Sequence, residues 1–399
     1  MPINAGMDNL NAVSRRWLGV GYSAESDART AGAAAAEQAL RQTDAKLVIV
    51  FCSDSYDLEA LLAGINARTG GAPLIGCSTA GQIARDGHGN ASVVVTALGG
   101  EGFCVATAHA SDAASRLREA GAEAAACAAD DADRPHRVLI MLSDALGGDQ
   151  QEVIRGAYSV LGAGVPLVGG CAGDEFKMKR TFQLHNGEVL ENAVVAASLA
   201  SDSPLGIGVR HGWERLGDPV LVTRSGGNRV YSLDDRPALD VYLERTGAPA
   251  EAHTDEAAFN AFAITHPLGL SRRSAEEGVR LVAGADFEER SLSMIAEVPQ
   301  GGLAWFMQGD DQSVLKATDD ACATAIEAIG ENPLAGVIAF DCAARRGVLG
   351  DEGIGHEIQR VASHAGSAPV AGFYSYGEIA RVSGVSGFHN QTLVVLAVS

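Results

Sequence analysis

The sequence has no Cys-x-x-Cys pair, no apolar run long enough to cross a bilayer and no excess of basic side chains. Each absence removes a class of protein. Seven cysteines (Cys52, Cys77, Cys104, Cys127, Cys171, Cys322, Cys342) form an odd, scattered set, mostly inside apolar segments. That excludes a disulfide scaffold and a cysteine-based zinc cluster, and reads as a reduced, cytoplasmic protein. Without a spanning run or a basic-then-apolar leader, neither a membrane anchor nor a signal peptide is expected. The 30 basic side chains face 50 acidic ones, a formal charge of −20. Such a surface repels phosphate, so neither nucleic acid nor a membrane is an expected partner. What the chain does have is apolar material, 47% of 399 residues, enough for two or three domains.

Two stretches read almost alike: "APLIGCSTAGQIARDG" from Ala72 and "APVAGFYSYGEIARVSG" from Ala368. The likeness extends outward. Copy one runs "RWLGVGYS", an alanine-rich stretch, "KLVIVFCSD", "DLEALLAGINARTG", "PLIGCSTAGQIARDG" and "ASVVVTALG". A C-terminal copy runs "GLAWFMQG", "GVIAFDC", "GHEIQRVASHAG", "PVAGFYSYGEIARVSG" and "QTLVVLAVS"; a looser middle copy starts at "GFCVATAH" and ends at "NAVVAASL". The expected fold is mixed α/β (α+β). Three related strand–helix–strand–helix–strand–strand units form mixed sheets covered by helices.

Spacing supports the helices. Leu58, Leu61, Leu62 and Ile65 fall on one helical face, with Asp57 as cap and Gly70 as stop. Runs such as Leu47–Phe51 are apolar on both faces, as strands buried under helices are. Turns are expected at Asp86–Asn90, His185–Gly187 and Gly387–Asn390. Ser201 to Gly302 interrupts the repeats. Within it, Gly226–Gly227 reads as a hairpin turn, Asp235 as the cap of a short helix with Pro237 in its first turn, and "APAEAHTDEAAFN" as a linker.

"PLIGCSTAGQI", "GGCAGDEF", "HGWERLG" and "RPALDVYLERTG", in this order, resemble the FIST family over nearly the whole chain. Residues 1–16 read as a flexible leader before the first strand, and the resemblance implies an N-terminal FIST domain over 17–229 and a C-terminal FIST domain over 230–399. It also implies a small-ligand sensor rather than an enzyme. One branch of the family binds haem b and senses nitric oxide. With no kinase or GGDEF-type sequence present, output is expected through a separate partner, such as a histidine kinase or a cyclic-di-GMP enzyme.

For a haem iron, His185 in "RTFQLHNGEVL" is the first axial candidate and His211 in "VRHGW" the second. The alternatives are a solvent-facing His185 beside an Asn-Gly turn and a His211 satisfied in the core. His88 and His389, near the other two turns, point to a position inherited by duplication. His266, before a proline, reads as a turn residue. The absence of Cys-x-x-Cys-His excludes c-type haem. For a haem-free ligand such as an amino acid, the bends holding Cys77, Ser78, Thr79, Gly173 and Asp174 are the candidates. Their amides would face a carboxylate and Asp174 an ammonium, unless the hydroxyls serve the local backbone. Cys77 and Ser78 faintly resemble a nucleophile on a bend, but the G-x-S-x-G elbow is missing. Arg85 and Arg381, in the repeated Gly-x-Ile-Ala-Arg, are expected to pair with carboxylates such as Asp54 and Asp341.

Overall fold

The computed structural model describes residues 16–399 apart from 86, 90, 129–133, 272–277 and 383–386. The leader, but for Arg16, therefore lies outside the described residues. Unit 1 contains β1 (Trp17–Ser23), α1 (Ala28–Ala39), β2 (Ala45–Cys52), α2 (Leu58–Thr69), β3 (Leu74–Ser78), β4 (Gln82–Ala84), β5 (Gly87–Gly89) and β6 (Val93–Gly99). Unit 2 repeats the order with β7 (Phe103–Ala110), α3 (Leu117–Ala125), β8 (His136–Asp144), α4 (Gln150–Leu161), β9 (Leu167–Ala172), β10 (Gln183–His185), β11 (Glu188–Leu190) and β12 (Val194–Ser201).

Unit 3 opens with β13 (Leu205–Arg210) and is then interrupted. The insert holds β14 (Glu214–Gly226), β15 (Arg229–Leu233), β16 (Arg236–Pro237), α5 (Ala238–Thr246) and α6 (Glu256–Ala263). It continues through β17 (Leu268–Leu270), β18 (Gly278–Arg280), β19 (Val282–Asp286), β20 (Ser291–Met294) and β21 (Leu303–Gln308). Unit 3 resumes with α7 (Asp311–Glu327), β22 (Gly336–Cys342), α8 (Ala343–Ala365, kinked at Gly350), β23 (Val370–Ser375), β24 (Glu378–Arg381), β25 (Phe388–His389) and β26 (Leu393–Val398).

This corrects the start of the third copy. Leu303–Gln308 pairs with β14 inside the insert, and the true first strand is β13, which pairs with β26. The reason is packing. A Cβ on Gly19 or Gly21 would lie 2.0 Å from the carbonyls of Ala39 or Ala35, and one on Gly206 or Gly208 would lie 1.9 Å from those of Ala325 or Ala321. The Gly-x-Gly of "GVG" and "GIG" lets α1 and α7 lie directly on their strands. A domain boundary at 229/230 falls inside β15.

Smaller differences have local causes. Asp57 caps α2 and Gly70 ends it at φ +65°, as expected. Asp235 does not cap α5; it sits at φ +60°, with Pro237 at the cap position. The expected linker over 248–260 instead holds a 3-10 turn (Ala250–His253) and the first half of α6, which is capped by Asp255 and anchored by buried Phe259. Of the turns, Asn186–Gly187 joins β10 to β11, whereas Gly87–Gly89 and Phe388–His389 are second strands of their hairpins. Asp86 and Asn90 lie outside the described residues.

The hairpins are exchanged between units. Sheet 1 runs β1-β6-β2-β3 and then takes β10-β11 from unit 2. Sheet 2 runs β7-β12-β8-β9 and takes β24-β25 from unit 3; sheet 3 runs β13-β26-β22-β23 and takes β4-β5 from unit 1. The exchange is cyclic. Inner faces of all three sheets meet in one core, with the tilted rings of Phe51 and Phe373 4.5 Å apart, while helices cover the outer faces. The insert builds a separate core around Tyr242, Phe259 and Phe306.

The exchange explains the repeated Gly-x-Ile-Ala-Arg. Arg85 donates to the carbonyls of Ala362, Gly366 and Ala368 at the end of α8, and Arg381 donates to Val165 O beyond α4. Arg85 thus caps the end of α8, and Arg381 holds the loop between α4 and β9, each in the unit that receives its hairpin. Asp54 and Asp341, the expected partners, pair instead with Lys177 and Arg345. No helix among the described residues is long and apolar enough to cross a membrane.

Candidate functional site

The glycine-rich bends lie at the C-terminal ends of β3 and β9, where open α/β sheets commonly bind ligands. Here the amides are spent internally. Ser78 N donates to Phe182 O, Ala80 N to Tyr374 O, Gly81 N to Thr79 Oγ1, Gly173 N to Ser78 O and Glu175 N to Thr79 O. Ser78 Oγ accepts from Phe182 N, and Thr79 Oγ1 accepts from Gln82 Nε2 at 2.7 Å. Asp174 does not face an ammonium group. It accepts from the amides of Met178, Lys179 and Arg180 and from the Tyr376 hydroxyl, folding the 174–180 loop around itself. Burial works against its carboxylate, but the Arg180 and Lys179 amides, Tyr376 and the Met178 amide outweigh it and hold the pKa below the usual range. Gly173 packs against the backbone at Ala80. The two bends therefore meet through Ser78, Thr79 and Gly173, which form a joint between units.

Cys77 is fully buried, and burial, with Cys52 and Cys171 beside it, pushes its thiol pKa well above the ordinary value. A thiol held protonated is a poor nucleophile.

His185 is nine-tenths buried on β10. Its Nδ1 lies 3.1 Å from His109 Nδ1 and its Nε2 lies 3.1 Å from Thr107 Oγ1, both on β7. An axial haem ligand needs a ring nitrogen facing an open apolar slot wide enough for a macrocycle. Both His185 nitrogens face neighbouring side chains, so the residue does not fit that role. His211 stands far along the chain in the link from β13 to β14. Its Nδ1 accepts from Trp213 N, and its carbonyl accepts from Arg345. The structure does not bring the two histidines into contact.

A site that sequence reasoning missed lies at that same link. The chain leaves the frame at 211–213 and re-enters at 309–310, and a cleft of about 430 Å³ opens between the two crossings. Glu214, His266, Gln308, Gly309, Asp310 and Ser313 line it. Glu214 and Gln308 face each other across β14 and β21. Asp310 caps α7, exchanging hydrogen bonds with Ser313, and Gly309 lies against the Trp213 ring. His266 stacks on Phe262 at 3.9 Å, and its Nδ1 lies 3.1 Å from Phe262 O. Donation there leaves Nε2 as an acceptor. Desolvation lowers the His266 pKa, only partly opposed by the Phe262 carbonyl, so the ring is neutral at pH 7. The lining is thus rich in acceptors, with two carboxylates and a neutral imidazole, which suits a cationic group. It is a poor match for haem, whose propionates need cations and whose ring needs apolar walls.

Arg345, which holds the His211 carbonyl, is fully buried. It bonds Asp341 at 2.6 Å and Glu357 at 2.7 Å, and Thr318 and Tyr374 also bond Glu357. Desolvation raises the Asp341 pKa well above the usual carboxylate value, with Arg345 opposing it.

Residues 46–236 match the family model of the FIST N domain, and residues 238–381 match that of the FIST C domain. The chain belongs to the FIST family. FIST domains are associated with small-ligand sensing in signalling. The seam between the two FIST matches falls between β16 and α5, inside the insert, so β13 of unit 3 lies in the FIST N match. An uncharacterized protein of Mycobacterium tuberculosis is 24% identical over 386 residues, covering 94% of this chain and 97% of the relative. An uncharacterized protein of Methanocaldococcus jannaschii is 25% identical over 178 residues, covering 43% of this chain but only 34% of the relative. An uncharacterized protein of Mycobacterium bovis is 27% identical over 237 residues, 57% of this chain and 59% of the relative.

Proposed function

We propose that this FIST protein is a haem-free receptor for a small ammonium-bearing metabolite, such as an amino acid, and that it signals through a separate protein. The acceptor-lined cleft at the crossing between frame and insert carries this reading. Its volume suits a small ligand, and junctions between structural bodies are favoured places for such sites. A ligand there touches Glu214 and Gln308 on the insert side and Asp310 and Ser313 on the frame side. It therefore stabilises one relative placement of the two bodies over others, which is what a sensor requires. A histidine kinase or a cyclic-di-GMP enzyme is the kind of partner that would read this placement.

The test is calorimetric titration of amines, amino acids and amine-free carboxylates into the protein, with Glu214→Gln alongside. Amine-bearing ligands should bind, and Glu214→Gln should weaken them roughly tenfold, the loss of one charged contact at a partly exposed site. If carboxylates bind equally well, or if the variant changes nothing, the reading fails. A Soret band retained after haem addition and desalting would overturn its haem-free part.

A further inference from the structure

We propose that His109, His185 and Glu188 form a Zn²⁺ site, with the fourth coordination position open to solvent. One ligand atom from each of the three residues lies within 4.8 Å of the others. The two Nδ1 atoms are 3.1 Å apart. Nitrogens bound 2.0–2.1 Å from a tetrahedral zinc stand roughly 3.3 Å apart, so the pair is already spaced for one ion. His185 and Glu188 face each other across the two-residue turn Asn186–Gly187, which places both on one side of the hairpin. Glu188 is exposed and His109 half-buried, so an ion can enter from solvent. His185 Nε2 lies 3.1 Å from Thr107 Oγ1; with Nε2 donating there, Nδ1 turns its lone pair toward His109, whose own Nδ1 gives up its proton when the ion binds. A hydrogen-bonded outer partner of this kind normally orients a metal-binding histidine.

The sister units show that this is no inherited feature. Strand registers align His185 with Ala84 and Ala380, and Glu188 with Gly87 and Gly387. They align His109 with Tyr22 and Val209, and Thr107 with Val20 and Ile207. In units 1 and 3, then, the corner where a hairpin approaches the first strand of its own unit is built from apolar and small residues. Unit 2 alone replaces four of them with Thr, His, His and Glu, and all four meet. The histidines near the other hairpins are not equivalents, because His88 and His389 stand on second strands. A set of histidines and one carboxylate, without thiolates, suits zinc with an exchangeable fourth ligand. The ion would tie β10–β11, a part of sheet 1, to β7 of sheet 2.

The experiment uses the untagged full chain, stripped with a chelator and desalted, and measures Zn²⁺ uptake against a chromophoric chelator. The expected result is one Zn²⁺ per chain. His109→Ala or His185→Ala should weaken binding at least 100-fold, and Thr107→Val by about 10–100-fold. The triple variant His109→Tyr, His185→Ala, Glu188→Gly borrows the corner of unit 1. It should keep the far-UV circular dichroism of the parent and lose the ion. Co²⁺ should give visible bands of a four-coordinate site in the parent and none in the triple variant. Zn²⁺ uptake by the parent no greater than by the folded triple variant, or uptake unchanged by His185→Ala, would overturn the proposal.

Discussion

Glu378→Gln should stabilise the protein, and increasingly so as pH rises. Glu378 is fully buried at the start of β24. Its carboxylate accepts from Ser375 Oγ at 2.6 Å and from Thr392 N at 3.1 Å. Burial raises its pKa from 4.5 to about 8, against the pull of Ser375, Thr392, Cys342 and Arg345. Between those two values the folded chain holds a proton that the unfolded chain releases, so stability is full below about pH 4.5 and falls as pH approaches 8. At about 1.4 kcal/mol per unit, the loss by pH 8 is on the order of 5 kcal/mol. The sister positions already carry the remedy. Gln82 donates to Thr79 and accepts from Ser92, and Gln183 donates to Thr181 and accepts from Ala193 N. A glutamine at 378 can make the same pair of bonds to Ser375 and Thr392 without a charge. Urea unfolding of parent and variant at half-unit steps from pH 4.5 to 8.5 gives the difference, in which other titrating groups cancel. It should be near zero at the acid end and grow to several kcal/mol at the other. A difference independent of pH, or one that turns against the variant as pH rises, would refute the reasoning.

Gly156→Ala and Gly355→Ala should have opposite signs by the same assay. A Cβ at 156 would lie 1.8 Å from Arg118 O on α3, whereas one at 355 meets nothing within 4 Å. The first change should cost about 1–3 kcal/mol by forcing α3 and α4 apart, and the second should gain up to about 1 kcal/mol from helix propensity. Arg345→Met leaves Asp341 and Glu357 buried without their cation and should cost about 3–5 kcal/mol. Adding Asp341→Cys and Glu357→Leu, the residues that unit 1 holds at Cys52 and Leu61, should recover most of that loss in the same denaturation series.

Local features were legible in the sequence. The face of α2, its cap at Asp57 and its stop at Gly70 depend on neighbours within one turn, and the family resemblance followed from motif order. Pairing between distant segments was not. A hairpin reads the same whether it joins its own sheet or the next, so the cyclic exchange left no local mark. The first strand of unit 3 was hidden because about a hundred residues separate β13 from α7. The signal was nonetheless present, in Gly206 and Gly208 matching Gly19 and Gly21. The bends at Ser78 and Asp174 resembled an anion cradle because glycine suits both a cradle and a tight joint, and only the partners of each amide tell them apart. His109 carried no motif at all. It becomes informative only when the register sets it beside Tyr22 and Val209.

The cyclic hairpin exchange also governs how such a chain can be born. A ribosome that has released units 1 and 2 has made a sheet whose β9 edge stands open and a β4–β5 hairpin with nowhere to dock. Both gaps close only when the last residues emerge, because β23 receives one hairpin and β24–β25 supplies the other. Every truncation that ends between the FIST matches therefore exposes raw strand edges, the usual template for clumping. Sheet 1 can close once unit 2 is out, but sheets 2 and 3 wait for the last link of the clasp.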